Sequence, residues 1–124
     1  MNVPNELFYA KTHEWARKEG KKVYVGITDH AQHEITDIVH VELPEVGKKF
    51  SKSQPCAVVE SVKSAFDIYS PVSGTVVEVN EELLSSPEII NQSPYEKGFF
   101  FVLEIENENE LKELMSAEDY KKSL

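Results

Sequence analysis

Cysteine is almost absent from this 124-residue chain. Cys56 stands alone, which excludes an internal disulfide framework and a four-cysteine metal site. Basic charge is scarce: 13 Lys and Arg face 22 Asp and Glu, and the net charge of −9 is a poor complement to nucleic acid or to an anionic membrane. No apolar run approaches the ~20 residues that cross a bilayer. The opening Met1-Asn2-Val3-Pro4 lacks the basic start and apolar stretch of a signal peptide. A reducing cytoplasm is therefore the expected location, with no nucleic-acid and no membrane partner. Glycine is also sparse, and neither a phosphate loop nor Gly-x-Gly-x-x-Gly nor a Gly-x-Ser-x-Gly elbow occurs. No motif asks for turnover, so no catalytic residue and no metal is assigned.

What is present suits one folded domain. Apolar residues make up 40% and charged residues 28% of a chain long enough to bury roughly two-thirds of its unfolded surface. A single domain over 1–124 is expected, with a core at roughly 20–105 and a helical segment at roughly 108–123. Lys22–Ile27 alternates with Val23, Val25 and Ile27 on one face, and Ile38–Leu43 repeats the pattern with Val39, Val41 and Leu43. Short strands are also predicted at Cys56–Glu60, Ala65–Tyr69, Thr75–Val79 and Phe99–Ile105. Their close spacing predicts a mainly β fold, a flattened sandwich or barrel of two antiparallel sheets with short helices.

Three helices are expected. Thr28-Asp29 caps His30–Ile35, Asn80 caps Glu81–Leu84, and Asn109 caps Glu110 onward, where Leu111, Leu114 and Met115 share a face. A faint echo relates Glu45-Val46-Gly47 and Phe50 to Glu78-Val79-Asn80 and Leu83; two similar half-domains or chance explain it equally.

His30 and His33 stand three apart on the first predicted helix, a spacing that suits either two imidazoles on one metal or a polar helix surface, and the surface is the simpler reading. His13 has no evident partner, and His40 falls on the outer face of its strand. Cys56 is read as a buried structural thiol, with no basic neighbour to activate it. Asn91-Gln92-Ser93 fits a glycosylation sequon and is read as accidental.

Lys63 is the residue that stands out. It lies in Ser61-Val62-Lys63-Ser64, a stretch between two predicted strands that is too short for anything but a tight turn. A lysine exposed at a hairpin tip among small side chains suits modification by an enzyme, but taken alone it suits no function at all far better.

Its setting resembles the biotinyl/lipoyl carrier pattern, in which a modified lysine tips a hairpin and an Ala/Ser-Pro-x-x-Gly segment follows. Here those pieces are Glu60-Ser61-Val62-Lys63-Ser64-Ala65 and Ser70-Pro71-Val72-Ser73-Gly74. Within that superfamily the chain resembles the H proteins of the glycine cleavage system. The matching pieces are Thr12-His13-Glu14-Trp15, Val25–Gln32, Val41–Gly47, Glu60–Lys63, Asp67–Gly74 and Ser93-Pro94-Tyr95, in order.

The resemblance implies a barrel-sandwich hybrid fold and lipoic acid joined by an amide to the Lys63 side chain, with Glu60, Ser61, Val62, Ser64 and Ala65 as the attachment motif. It implies a non-catalytic carrier that accepts an aminomethyl group at glycine decarboxylase (P protein), and a monomer is the default expectation for such a shuttle. The carrier then presents that group to the aminomethyltransferase (T protein) and is reoxidised by dihydrolipoyl dehydrogenase (L protein). A lipoate-attaching enzyme is a further implied partner. Thr12, Glu14 and Asp67 are the residues expected to line a cleft for the loaded arm, with Glu14 or Asp67 facing a protonated amine.

The chain departs from the family pattern at Gln32–Asp37, where no histidine role is carried over, at the phenylalanines of 99–101, and at the bulky Phe66. Alternatives on the same fold are a lipoate relay or H-like carrier serving other enzymes, a lipoyl domain of a 2-oxoacid dehydrogenase, and a biotinyl carrier. Biotin sites usually place methionine beside the lysine, whereas Val62 and Ser64 stand here. Dehydrogenase lipoyl domains carry Ala/Pro-rich linkers, which this chain lacks.

Overall fold

A computed structural model describes all residues, 1–124. Nine strands form two antiparallel sheets. The larger is ordered β1 (Phe8–Tyr9), β2 (Glu14–Glu19), β3 (Lys22–Ile27), β9 (Phe101–Ile105), β8 (Gly74–Val79), β5 (Lys49–Phe50). The smaller is ordered β4 (Ile38–Glu42), β6 (Pro55–Ser61), β7 (Ala65–Tyr69). The helices are α1 (Asp29–Ile35), α2 (Glu82–Ser85), α3 (Ile89–Gln92) and α4 (Ala117–Ser123), and a 3-10 helix spans Glu108–Glu113. The mainly β sandwich expected from the strand spacing is the fold observed.

Alternation places β3 as predicted: Val23, Val25 and Ile27 are buried. In β4 it misleads. The pairing with β6 slips between Ile38 and His40, so Ile38 and Val41 point inward while Val39 is 53% exposed. One irregular residue resets the two-residue period. Phe99 and Phe100 precede β9 rather than opening it. The sheet begins well before residue 20, because β1 and β2 form its edge. In β2, Trp15 sits opposite Gly26, and a Cβ on that glycine would lie 2.6 Å from the Trp15 ring. Glycine is needed there for the indole to lie across the neighbouring strand.

Thr28 caps α1 as predicted, its hydroxyl accepting the Ala31 N–H. Asn80 does not cap α2. Its amide is drawn instead to the Lys97 and Phe99 carbonyls, both at 2.8 Å, which fixes the loop leading to β9. The expected C-terminal helix is two pieces. Asn107 starts the 3-10 helix, Leu114 leaves it extended, and Ser116 caps α4. The two ends of the apparent echo also fold differently: Phe50 lies in a strand, and Leu83 lies in a helix.

The main core lies between the sheets. A second core of seven buried residues joins the chain ends to β2: Val3, Leu7, Tyr9, Trp15, Tyr95, Ala117 and Tyr120. Tyr95 is its tie-rod. Its hydroxyl donates to the Asn2 carbonyl at 2.6 Å and accepts the Asp29 N–H at 2.9 Å. Asn91, the residue of the apparent sequon, is likewise structural: its amide nitrogen donates to the Thr36 carbonyl and its oxygen accepts the Ile38 N–H.

Candidate functional site

The β6–β7 hairpin carries Lys63 at its tip. Glu60 pairs with Ala65, and the Ser61 N–H donates to the Ser64 carbonyl at 2.8 Å. Inside the turn the Ser61 hydroxyl oxygen accepts the backbone N–H of Lys63 at 3.3 Å and of Ser64 at 3.2 Å. A single side chain thus ties two amides that a four-residue turn leaves over. Ser61 is buried, Glu60 is half-buried, and every residue from Val62 to Asp67 is exposed. No carboxylate lies within ion-pair distance of the Lys63 amine.

The three expected cleft residues fall in two adjoining depressions. Thr12 lines both. Glu14 lies in one of about 420 Å³, bounded by Tyr9, Lys52, Tyr69 and Met115. Asp67 lies in the other, of about 340 Å³, with His13, His30, Glu34 and Phe66 above a floor that includes Ile27, Ala31 and Ile68. Glu14 is only 1% exposed. Its carboxylate accepts the Thr12 hydroxyl and, at 3.0 Å, the Tyr69 N–H, joining β2 to β7. Burial pushes its pKa up to about 7, against the pull of those donors. Asp67, by contrast, is open to solvent.

Sequence reasoning left His13 without a partner, and this is overturned. Its ring lies 4.8 Å from that of His30, and its Nδ1 is 2.7 Å from the Tyr120 hydroxyl of α4. These contacts span 17 and 107 positions, beyond the reach of any local pattern. His30 turns towards His13 and Glu34, while His33 is exposed. His40 lies on the outer face as expected. Cys56 is buried, its thiol donating to the Ile68 carbonyl at 3.3 Å, and burial raises its pKa to about 12. That keeps it a thiol at neutral pH.

A barrel-sandwich of two antiparallel sheets with a lysine-tipped hairpin is a module of the biotinyl/lipoyl-carrier type. Comparison with known proteins narrows this class. The family model described as glycine cleavage H-protein matches residues 7–124. The glycine cleavage system H protein of Endomicrobium trichonymphae is 62% identical over 121 residues, covering 98% of each chain. That of Halalkalibacterium halodurans is 54% identical over 123 residues, covering 99% of this chain and 96% of its own. The crystal structure of a glycine cleavage system H protein from Mycobacterium marinum superposes with a TM-score of 0.86 at 32% identity, over 98% of this chain and 100% of that one. The chain belongs to the glycine cleavage H-protein family.

Proposed function

We propose that the chain is a lipoyl carrier of glycine cleavage and that Lys63 is its attachment residue. The observation that carries this reading is the hairpin itself. The Lys63 amine stands exposed and unpaired on a turn whose amides are tied internally by Ser61. An amine free of a carboxylate partner is a fit acceptor for an acyl group, and the surrounding exposed residues leave room for an attaching enzyme. A lipoyl group held on Lys63 would supply a disulfide that is reduced as it accepts an aminomethyl group, and the dithiol left once that group departs would be reoxidised by the partner dehydrogenase.

Everything else is the work of the protein. The paired strands hold the tip away from the core, and the tether on Lys63 raises the effective concentration of its end at nearby sites. The groove beside α1 offers Asp67 and Glu34 as acceptors for a cationic amine, above a floor that includes Ile27, Ala31 and Ile68. Glu14 acts from behind: its bonds to Thr12 and Tyr69 fix the groove rim to the root of the hairpin. No residue is assigned a chemical step, so the chain serves as a non-catalytic subunit, one carrier domain over 1–124. Its partners are glycine decarboxylase, the aminomethyltransferase, dihydrolipoyl dehydrogenase and a lipoate-attaching enzyme. It works as a monomer in the cytoplasm, and its net charge of −9 favours basic docking surfaces.

Lys63→Arg keeps the charge and removes the acyl acceptor. Glycine decarboxylation supported by the added protein is expected to vanish while the melting temperature stays within a degree or two, since surface changes cost little. Retained activity would overturn the assignment of Lys63.

A further inference from the structure

Thr28, Tyr120 and His13 form a hydrogen-bonded chain whose direction is fixed by what each group has left to give. Thr28 is fully buried, and its oxygen already accepts the Ala31 N–H at 3.2 Å as the cap of α1. The acceptor for its hydroxyl hydrogen is the Tyr120 oxygen, 2.7 Å away. Tyr120 in turn has His13 Nδ1 at 2.7 Å for its own hydrogen. The reverse order would leave the Thr28 hydrogen buried without an acceptor, a cost native structures avoid. His13 Nδ1 is therefore an acceptor, and the ring proton sits on Nε2.

The frame around this chain is rigid. Tyr120 stacks on Tyr9 with centroids 4.7 Å apart and planes at 11°, and both are fully buried. His13 has a φ of 74°, a left-handed conformation that a non-glycine residue keeps only when its surroundings impose it. The Ala10 and Thr28 backbones bond to it on either side. Nε2 has no partner in the protein, and no buried polar side-chain atom is left unpaired, so Nε2 reaches the surface. The groups around the ring are His30 and Glu34 from α1, Asp67 from β7 and Tyr120 from α4. Burial and the neighbouring His30 hold its pKa below the usual histidine value, which favours the neutral form.

We propose that Tyr120 is a positioning residue: it holds His13 as a neutral imidazole whose Nε2–H is offered to an acceptor oxygen in the groove, the amide carbonyl of the acyl arm on Lys63. The identity of that oxygen rests on the lipoyl-carrier reading; the imidazole's state does not. An N–H donor suits an oxygen and repels an ammonium, which leaves Asp67 and Glu34 for any cationic group. Phe66 and Asp67, which line the groove, stand three and four residues beyond Lys63, roughly 10–13 Å along an extended strand. The amide carbonyl is bonded to the lysine nitrogen, so the lysine side chain itself must cover that span: laid back along β7 it carries the oxygen roughly 8 Å from its Cα, and a hydrogen bond of about 3 Å closes the rest.

Nitrogen-15 imidazole NMR of the full chain near pH 7.5 tests both parts. In the unmodified protein His13 is expected as the Nε2–H tautomer. Tyr120→Phe, which keeps the ring stack and removes the hydroxyl donor, is expected to mix the two tautomers. Thr28→Ser, which keeps the hydroxyl, is expected to retain the wild-type tautomer. An Nδ1–H tautomer in the wild type, or an unchanged ring in folded Tyr120→Phe, overturns the positioning role. After incubation with a lipoate ligase, ATP and lipoate, the His13 Nε2–H signal is expected to move in the wild type and not in Lys63→Arg. A chain shown by mass to be lipoylated but with a static His13 signal overturns the arm contact. A chain that takes no lipoate at all overturns the carrier reading, and the arm's carbonyl with it, while the tautomer result stands on its own.

Discussion

The β6–β7 hairpin and the seam where β2, α1 and α4 meet are built on opposite terms. Between Ser61 and Ile68 the hairpin buries nothing: six consecutive residues, Val62 to Asp67, are exposed, and the amine at its tip has no partner. The seam is largely buried, and its buried polar groups are paired, while His13 Nε2 is turned to the surface. Thr28 meets Tyr120, Tyr120 meets His13, and Glu14 meets Thr12 and Tyr69. Under the proposed carrier reading, the difference separates two tasks. A modifiable residue must be reachable by other proteins, so it sits where side-chain changes cost little stability. The surface that receives a tethered group must be preformed, so it sits on rigid elements whose side chains are locked.

Breaking the seam should have the largest effect on stability. Trp15 is fully buried across Gly26, and its indole N–H donates to the Pro94 carbonyl at 3.0 Å. Trp15→Ala is expected to cost about 3–5 kcal/mol in urea unfolding. Lipoate attachment in whatever fraction stays folded should be unaffected, because the hairpin belongs to the other sheet.

Next comes Glu14, where the seam stores a pH dependence. Its folded pKa of about 7 lies above its ordinary 4.5, so between those values the folded chain holds more proton than the unfolded one. Stability from this group therefore falls as pH rises through that window, by about 3 kcal/mol in total, and levels off above pH 7. The lowered pKa of His13 works the other way, so the comparison is with Glu14→Gln, whose amide can accept from the Tyr69 N–H and donate to Thr12. Denaturant midpoints measured from pH 4.5 to 8 should show the variant gaining on the wild type as pH rises. Parallel curves would mean that Glu14 is ionised throughout.

The smallest effect is expected at the tip. Val62 is 75% exposed, and Val62→Ser should change stability by less than ~0.5 kcal/mol. A loss comparable to that of Trp15→Ala would erase the distinction between the two regions.

These two regions were also unequally legible in the sequence. The hairpin could be read locally: two short strands, four residues between them, and a lysine in the gap. The turn chemistry was less plain, because the turn holds no Asn-Gly and its amides are tied by Ser61. The seam is made of contacts between residues far apart in the chain, and no local pattern pairs His13 with Tyr120. β2 does not show in the sequence because Glu14-Trp15-Ala16-Arg17-Lys18-Glu19 buries its first three residues, half-buries Arg17 and exposes the last two, which is not alternation. β1 and β5 are two residues each, too short for any period to show. Asn80 and Asn109 carry the composition of caps, yet Asn80 is used by a distant loop and Asn109 lies inside the 3-10 helix that Asn107 starts. The motif positions Thr12, Glu14 and Asp67 could be named from sequence. Their division between a buried carboxyl and an exposed one could not, because burial depends on what folds over each.

Mass spectrometry of the intact chain and of its Lys63 peptide, after incubation with a lipoate ligase, ATP and lipoate, tests the central claim most directly. The account predicts one lipoyl addition, on the Lys63 peptide, and none in Lys63→Arg. A folded chain that takes up no lipoate, or takes it up at another lysine, would contradict it.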